Sequence, residues 1–121
     1  MRLLIVAACF IASTTYAQAE AWTCTFILEG FNEPVLHRFQ VSPPDLIETK
    51  RNDRYRLLQN NSYGLVATEA ISSIEEGQQK PTVGASTVII NKGTGEFWWG
   101  TMITGQAAFL NKPVQGKCIK D

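Results

Sequence analysis

The sequence contains few of the side chains that bind metal ions or act as general bases, since it has one histidine and three cysteines among 121 residues. A structural zinc site needs several histidine or cysteine ligands, and a catalytic triad needs a histidine beside a nucleophile and a carboxylate. His37 belongs to the alternating segment Val35–Val41, which is typical of a structural, partly buried histidine. We therefore expect no catalytic residues, no metal site and no cofactor, and we interpret the protein as a non-enzyme.

An excess of one charge is also absent, because 11 basic side chains balance 11 acidic ones. Nucleic-acid binding favours a clustered basic face, so we expect no nucleic-acid partner. The basic run Lys50–Arg56 favours a solvated strand face, and the alternative is contact with an acidic glycan or a lipid headgroup.

The carboxylates show no spacing that selects a pair for glycoside hydrolysis. We predict that they lie on the solvated surface, and a hydrolase is only the third of the functions considered. The carboxylates in question are Asp45 with Glu48, Glu75-Glu76, and Glu96.

Long apolar runs are absent except near the beginning of the sequence, where Leu3–Ala12 is almost unbroken. Arg2 precedes this run, and Ala17-Gln18-Ala19 follows it in the pattern of a secretory signal peptide with its cleavage site. The run is shorter than the about 20 residues that span a bilayer. We predict a cleaved signal peptide at residues 1–19, a single domain at residues 20–121 that does not span a membrane, and a periplasmic or secreted location.

The scarcity of cysteine leaves one possible disulfide. Cys9 would be removed with the signal peptide, and the two cysteines that remain, Cys24 and Cys118, lie near opposite ends of the domain. Cysteines in exported domains are usually bonded to each other. We therefore predict a Cys24–Cys118 disulfide that closes the domain end to end.

Most of the domain alternates between apolar and polar residues with a period of two, which predicts β-strands. Trp22–Leu28 is the clearest example, and Asn60–Ser62 favours a hairpin turn that would place Leu57 opposite Leu65. The segment Glu69–Pro81 leaves room for one short helix. The predicted fold is mostly β, a small antiparallel barrel or sandwich of six to eight strands.

A second hairpin is predicted around Gly93-Thr94, whose Gly-X pattern fits a type II′ turn. This turn would place Ile90 opposite Phe97 and Val88 opposite Trp99, on a face directed to the core.

Ile89 and Trp98 would then form a pair on the other face of the hairpin. Their neighbours there are polar or small, so Trp98 and Ile89 are the candidate interaction patch. The alternative is that a loop, Ala107–Leu110, covers the indole.

The chain is similar to the small periplasmic lysozyme inhibitors of bacteria in its size, signal peptide, β content and terminal cysteines. This resemblance is one of architecture. That family folds as eight-stranded barrels and inserts a Ser-Gly-…-Tyr loop into the lysozyme cleft, whereas Ser62-Tyr63-Gly64 has those residues in another order. Lipocalin-like carriers are similar in architecture too, but their Gly-x-Trp signature is absent, since Trp22 follows Glu20-Ala21.

These observations favour a binding or inhibitor-type interaction module whose partner is an unknown protein. The alternative is a small β-barrel that carries a small apolar ligand. A cavity lined by aromatic side chains would favour the carrier, whereas a filled interior with an exposed Trp98 would favour the interaction module.

Overall fold

The computed structural model of the chain describes residues 20–28, 30–73, 82–104 and 113–121, which form a closed antiparallel barrel of eight strands paired in chain order. The strands are β1 (Ala21–Ile27), β2 (Pro34–Ser42), β3 (Asp45–Glu48), β4 (Asp53–Asn60), β5 (Gly64–Ser73), β6 (Thr82–Asn91), β7 (Glu96–Ile103) and β8 (Val114–Lys120). The predicted antiparallel β fold is confirmed, and it is a barrel rather than a sandwich.

The described residues contain no helix, and none of them forms a helix long and apolar enough to cross a membrane. The region where a short helix was considered begins instead as strand, because β5 extends to Ser73. The remainder of that region, the predicted signal peptide and the predicted cover at Ala107–Leu110 lie outside the described residues.

The period-two pattern places one face of each strand inside the barrel, where apolar side chains form a single core. The buried hydrophobic members of this core are Trp22, Cys24, Phe26, Phe39, Val41, Leu46, Tyr55, Leu65, Ala67, Val88, Ile90, Phe97 and Cys118. Trp99 faces the same interior and packs against the core while remaining partly accessible. The prediction that Phe97 and Trp99 share the core face is therefore confirmed.

The barrel closes between the first and the last strand. β1 and β8 are antiparallel neighbours, and Cys24 lies directly opposite Cys118 in their register. The two residues form the predicted disulfide, and both side chains are buried. The bond therefore joins the two strands at the seam where the barrel closes.

The β6–β7 hairpin has the predicted register, since Ile90 pairs with Phe97 and Ile89 pairs with Trp98. The predicted turn type is wrong, because the glycine with positive φ is Gly95 (φ 78°). The Asn91 side chain explains the difference: its Oδ1 accepts hydrogen bonds from the backbone N–H groups that follow it and holds a wider loop. A side chain at Gly95 would also approach the Cys118 carbonyl oxygen to 2.8 Å.

The β4–β5 hairpin departs from its predicted register. Leu57 pairs with Ala67 rather than with Leu65, and the register shifts between Leu57 and Gln59. This irregularity turns Leu58 outward to solvent. The physical reason is the turn, which begins one residue later than predicted and is held by Asn61, whose Oδ1 accepts two backbone N–H groups.

Candidate functional site

A buried carboxylate and a buried histidine meet inside the barrel. Glu48 on β3 has no exposed surface, and its Oε1 accepts a hydrogen bond from His37 Nδ1 on β2 at 3.1 Å. The prediction that Glu48 lies on the solvated surface is wrong. A signal was available, because Leu46 and Glu48 occupy alternate positions of one strand and therefore share a face.

The same carboxylate holds the β3–β4 turn. The backbone N–H of Lys50 donates to Glu48 Oε1 at 3.0 Å, and the backbone N–H of Arg51 donates to Oε2 at 2.8 Å. Burial raises the pKa of Glu48, but the hydrogen bonds from Arg51, His37 and Lys50 together leave it below its ordinary value. Glu48 therefore remains an ionised acceptor that serves the structure of the turn.

His37 is enclosed by aromatic rings, which confirms that it is a buried histidine within a strand. Its ring stacks on Phe26 at a centroid distance of 5.4 Å and meets the edge of Trp99 at 5.0 Å. Trp99 in turn contacts Phe39 at 5.9 Å. At this level the interior is filled by side chains in mutual contact, so it forms a packed core.

The interior groups have the geometry of structural contacts. Thr101 Oγ1 donates to Ser86 Oγ at 3.0 Å inside the barrel, and burial raises the pKa of Tyr55 nearby. In the described ranges, no cluster of three or more histidine, cysteine or acidic side chains could hold a metal ion. The described interior contacts are those of a packed core.

A groove on the outer face of β6, β7 and β8 contains both residues of the candidate patch. Ile89 on β6 pairs with Trp98 on β7, and Trp98 pairs with Gln115 on β8, so the three side chains form a row across the sheet. The groove has a volume of about 500 Å³, and its other lining residues are Asn91, Glu96, Phe97, Gly116 and Lys117. Ile89 is 39% exposed and Trp98 is half-buried.

The position of the indole depends on a glycine two residues further along β7. A Cβ atom built at Gly100 would lie 2.7 Å from Cη2 of Trp98, so the ring occupies the space that a side chain at this position would need. Trp98 therefore leans along the strand over Gly100. This arrangement accounts for its half-buried state and restrains the orientation of the ring.

A second groove, of about 350 Å³, lies on the other side of β8 and shares three β8 residues with the first, Gln115, Gly116 and Lys117. Thr25 and Ile27 on β1 line this second groove. Leu36 on β2 lies beside it, because Leu36 pairs with Thr25. Ile27 is 68% exposed and Leu36 is 57% exposed. Sequence reasoning missed this extension of the apolar face, although both residues alternate with buried core positions and so must point outward.

Comparison with known proteins supplies no relative. No family model, no curated protein and no solved structure matches this chain. The function must therefore be inferred from the geometry of the barrel and its surface.

Proposed function

We propose that the protein is a non-enzymatic binding module, and that the groove around Trp98 and Ile89 is its binding surface. The observation that carries this proposal is the half-buried indole on the outside of a barrel whose interior is packed. Tryptophan is enriched among the residues that dominate binding energy, especially where a small pocket adjoins it. The groove volume of about 500 Å³ also falls within the range of ligand sites.

The packed interior favours a surface site over the carriage of an apolar ligand. A carrier barrel needs an internal cavity that buries most of its ligand. Here Phe39, Phe97 and Trp99 contact one another across the interior, with centroid distances of 5.7 to 6.4 Å. Because these three rings pack against one another, they fill the part of the interior in which a carrier would hold its ligand.

An exported location is part of the same proposal. The buried disulfide is compatible with an oxidising compartment, where such bonds form and persist. The signal peptide predicted at residues 1–19 supports the same location, which we infer to be the periplasm or the exterior of the cell.

The test uses the purified protein immobilised on a biosensor and exposed to an extract of the source organism. Replacement of Trp98 with alanine should reduce the retained material by about tenfold or more, as expected for a residue at the centre of a binding surface. The matched control is Leu58→Ala, which removes an exposed apolar side chain from β4. This strand lies three strands from β7, the strand that carries Trp98.

The control should bind as the wild type does. Equal retention by the wild type and by Trp98→Ala would contradict the proposal, because the groove would then contribute nothing to binding.

A further inference from the structure

We propose that the ligand of the groove is an uncharged carbohydrate, an inference that depends on the proposed function of the same site. The observation that carries it is an indole restrained on the sheet surface, beside side chains that between them donate and accept hydrogen bonds. A pyranose ring has the complementary surface, because its faces present C–H groups and its edge presents hydroxyl groups.

The floor of the groove supplies the apolar contact. Trp98 leans over Gly100, and Ile89 lies beside it in the register, so the indole is positioned before any ligand arrives. A restrained aromatic ring loses little conformational freedom on binding, which lowers the entropic cost of association.

The rim supplies polar groups suited to sugar hydroxyls. A hydroxyl group both donates and accepts hydrogen bonds. Gln115 is exposed and carries an amide with both functions. Asn91 Oδ1 already accepts the backbone N–H groups of Gly93 and Thr94, which leaves its amide NH₂ as the group able to donate to a ligand. The rim therefore offers donors and acceptors around an apolar centre.

The charges of the rim cancel, which favours an uncharged ligand. Glu96 and Lys117 face each other across β7 and β8 in the register, and both line the groove. An acidic polymer would meet the carboxylate of Glu96, and a basic one would meet the ammonium group of Lys117. Neutral hydroxyl groups can bond to either residue.

The shape of the surface favours a linear oligosaccharide. The second groove of about 350 Å³ continues from the first across Gln115, Gly116 and Lys117. The two grooves together cross the outer faces of β6, β7, β8 and β1, so one chain of sugar rings could follow both.

The first experiment separates a carbohydrate from a protein partner. The same extract is divided, and one portion is digested with protease while the other is treated with periodate, which cleaves the vicinal diols of sugars. Retention that depends on Trp98, survives protease and is lost after periodate supports the inference. The reverse pattern would overturn it while leaving the proposed function intact, and the absence of Trp98-dependent retention would overturn both.

The second experiment uses defined probes on a printed array of neutral and acidic glycans. We expect binding to neutral oligosaccharides, with a loss of about tenfold or more in Trp98→Ala. Trp98→Phe keeps an aromatic ring and should retain most of the binding, whereas Trp98→Leu keeps only apolar bulk and should behave as Trp98→Ala does.

Near-ultraviolet circular dichroism would verify that each variant is folded. Equal binding by the leucine and phenylalanine variants would indicate a general apolar contact and overturn the inference, as would the absence of binding to any neutral glycan on the array.

Discussion

Trp98 and Trp99 are adjacent in the sequence and point to opposite sides of β7, so they form a matched pair of test positions. Trp99→Ala should lower the free energy of unfolding by about 3 kcal/mol, because the ring contacts His37, Phe39 and Phe97 inside the barrel. Trp98→Ala should cost less than about 1 kcal/mol, the usual value of a cross-strand pair on an outer face. Denaturant unfolding of both variants measures the difference, and comparable losses would show that Trp98 belongs to the core.

Glu48 predicts a dependence of stability on pH. Its pKa in the folded protein lies below the ordinary value of 4.5, so its contribution is present above that pH and is lost as the pH falls through the folded pKa. Because glutamine does not titrate, Glu48→Gln should lose less stability than the wild type as the pH falls from 4.5 through the folded pKa of Glu48.

The same substitution should cost about 2 kcal/mol at neutral pH, because the amide NH₂ that replaces one carboxylate oxygen cannot accept a backbone N–H and leaves that donor without its acceptor. Unfolding in denaturant at several pH values provides the measurement. Glu33→Gln alters an exposed carboxylate in the β1–β2 turn and should change stability at neutral pH by no more than about 0.5 kcal/mol. If the free energy of unfolding of Glu48→Gln fell with pH as steeply as that of the wild type, the role assigned to this carboxylate would be contradicted.

At the scale of the β6–β7 hairpin, Gly100 controls where the indole of Trp98 lies. Gly100→Ala should displace the ring toward solvent, because a Cβ atom at this position would lie 2.7 Å from Cη2. We expect a red shift of the Trp98 contribution to fluorescence and greater quenching by acrylamide, with a loss of stability near 1 kcal/mol or less, about the cost of a local adjustment on an outer face. Subtraction of the spectrum of Trp98→Phe isolates this contribution. An unchanged spectrum in Gly100→Ala would show that the glycine does not determine the position of the indole.

The same hairpin shows which features can be read from a sequence. The pairing of Ile90 with Phe97 and of Ile89 with Trp98 was predicted, because a strand alternates strictly and one face must be buried. The turn type was predicted wrongly, because it depends on the Asn91 side chain and on the close approach of Gly95 to the Cys118 carbonyl. The second contact joins segments distant in sequence, and such contacts leave no local pattern.

Two further features could not be predicted from the alternation of apolar and polar residues. The register of β4 and β5 shifts between Leu57 and Gln59, and a bulge of this kind is invisible to a count of alternating residues. The pair of candidate site residues was found from the register, but the neighbouring groove was missed. It lies where β8 meets β1, and the order of strands around a barrel must be known before that junction can be located.

At the scale of the whole molecule, the disulfide ties the first strand to the last. Replacement of both Cys24 and Cys118 with alanine should lower the free energy of unfolding by about 4 kcal/mol, because the bond spans 94 residues and restricts the unfolded chain. Denaturant unfolding with and without reductant measures the effect, and the double variant should not respond to reductant. A double variant as stable as the wild type would show that strand pairing alone holds the seam.

Closure of the barrel also determines how a ligand of the proposed groove would be recognised. Each strand has a hydrogen-bonded neighbour on both sides, because β1 pairs with β8 as well as with β2. Many proteins bind peptides by adding a strand to an open sheet edge, where backbone hydrogen bonds supply the affinity whatever the side chains. At the groove around Trp98 and Ile89, the strands β6, β7 and β8 are paired with neighbours on both sides, so they offer no such edge there. A ligand of that groove would therefore be recognised through side chains, and its specificity would change through substitution of a few of them without alteration of the fold.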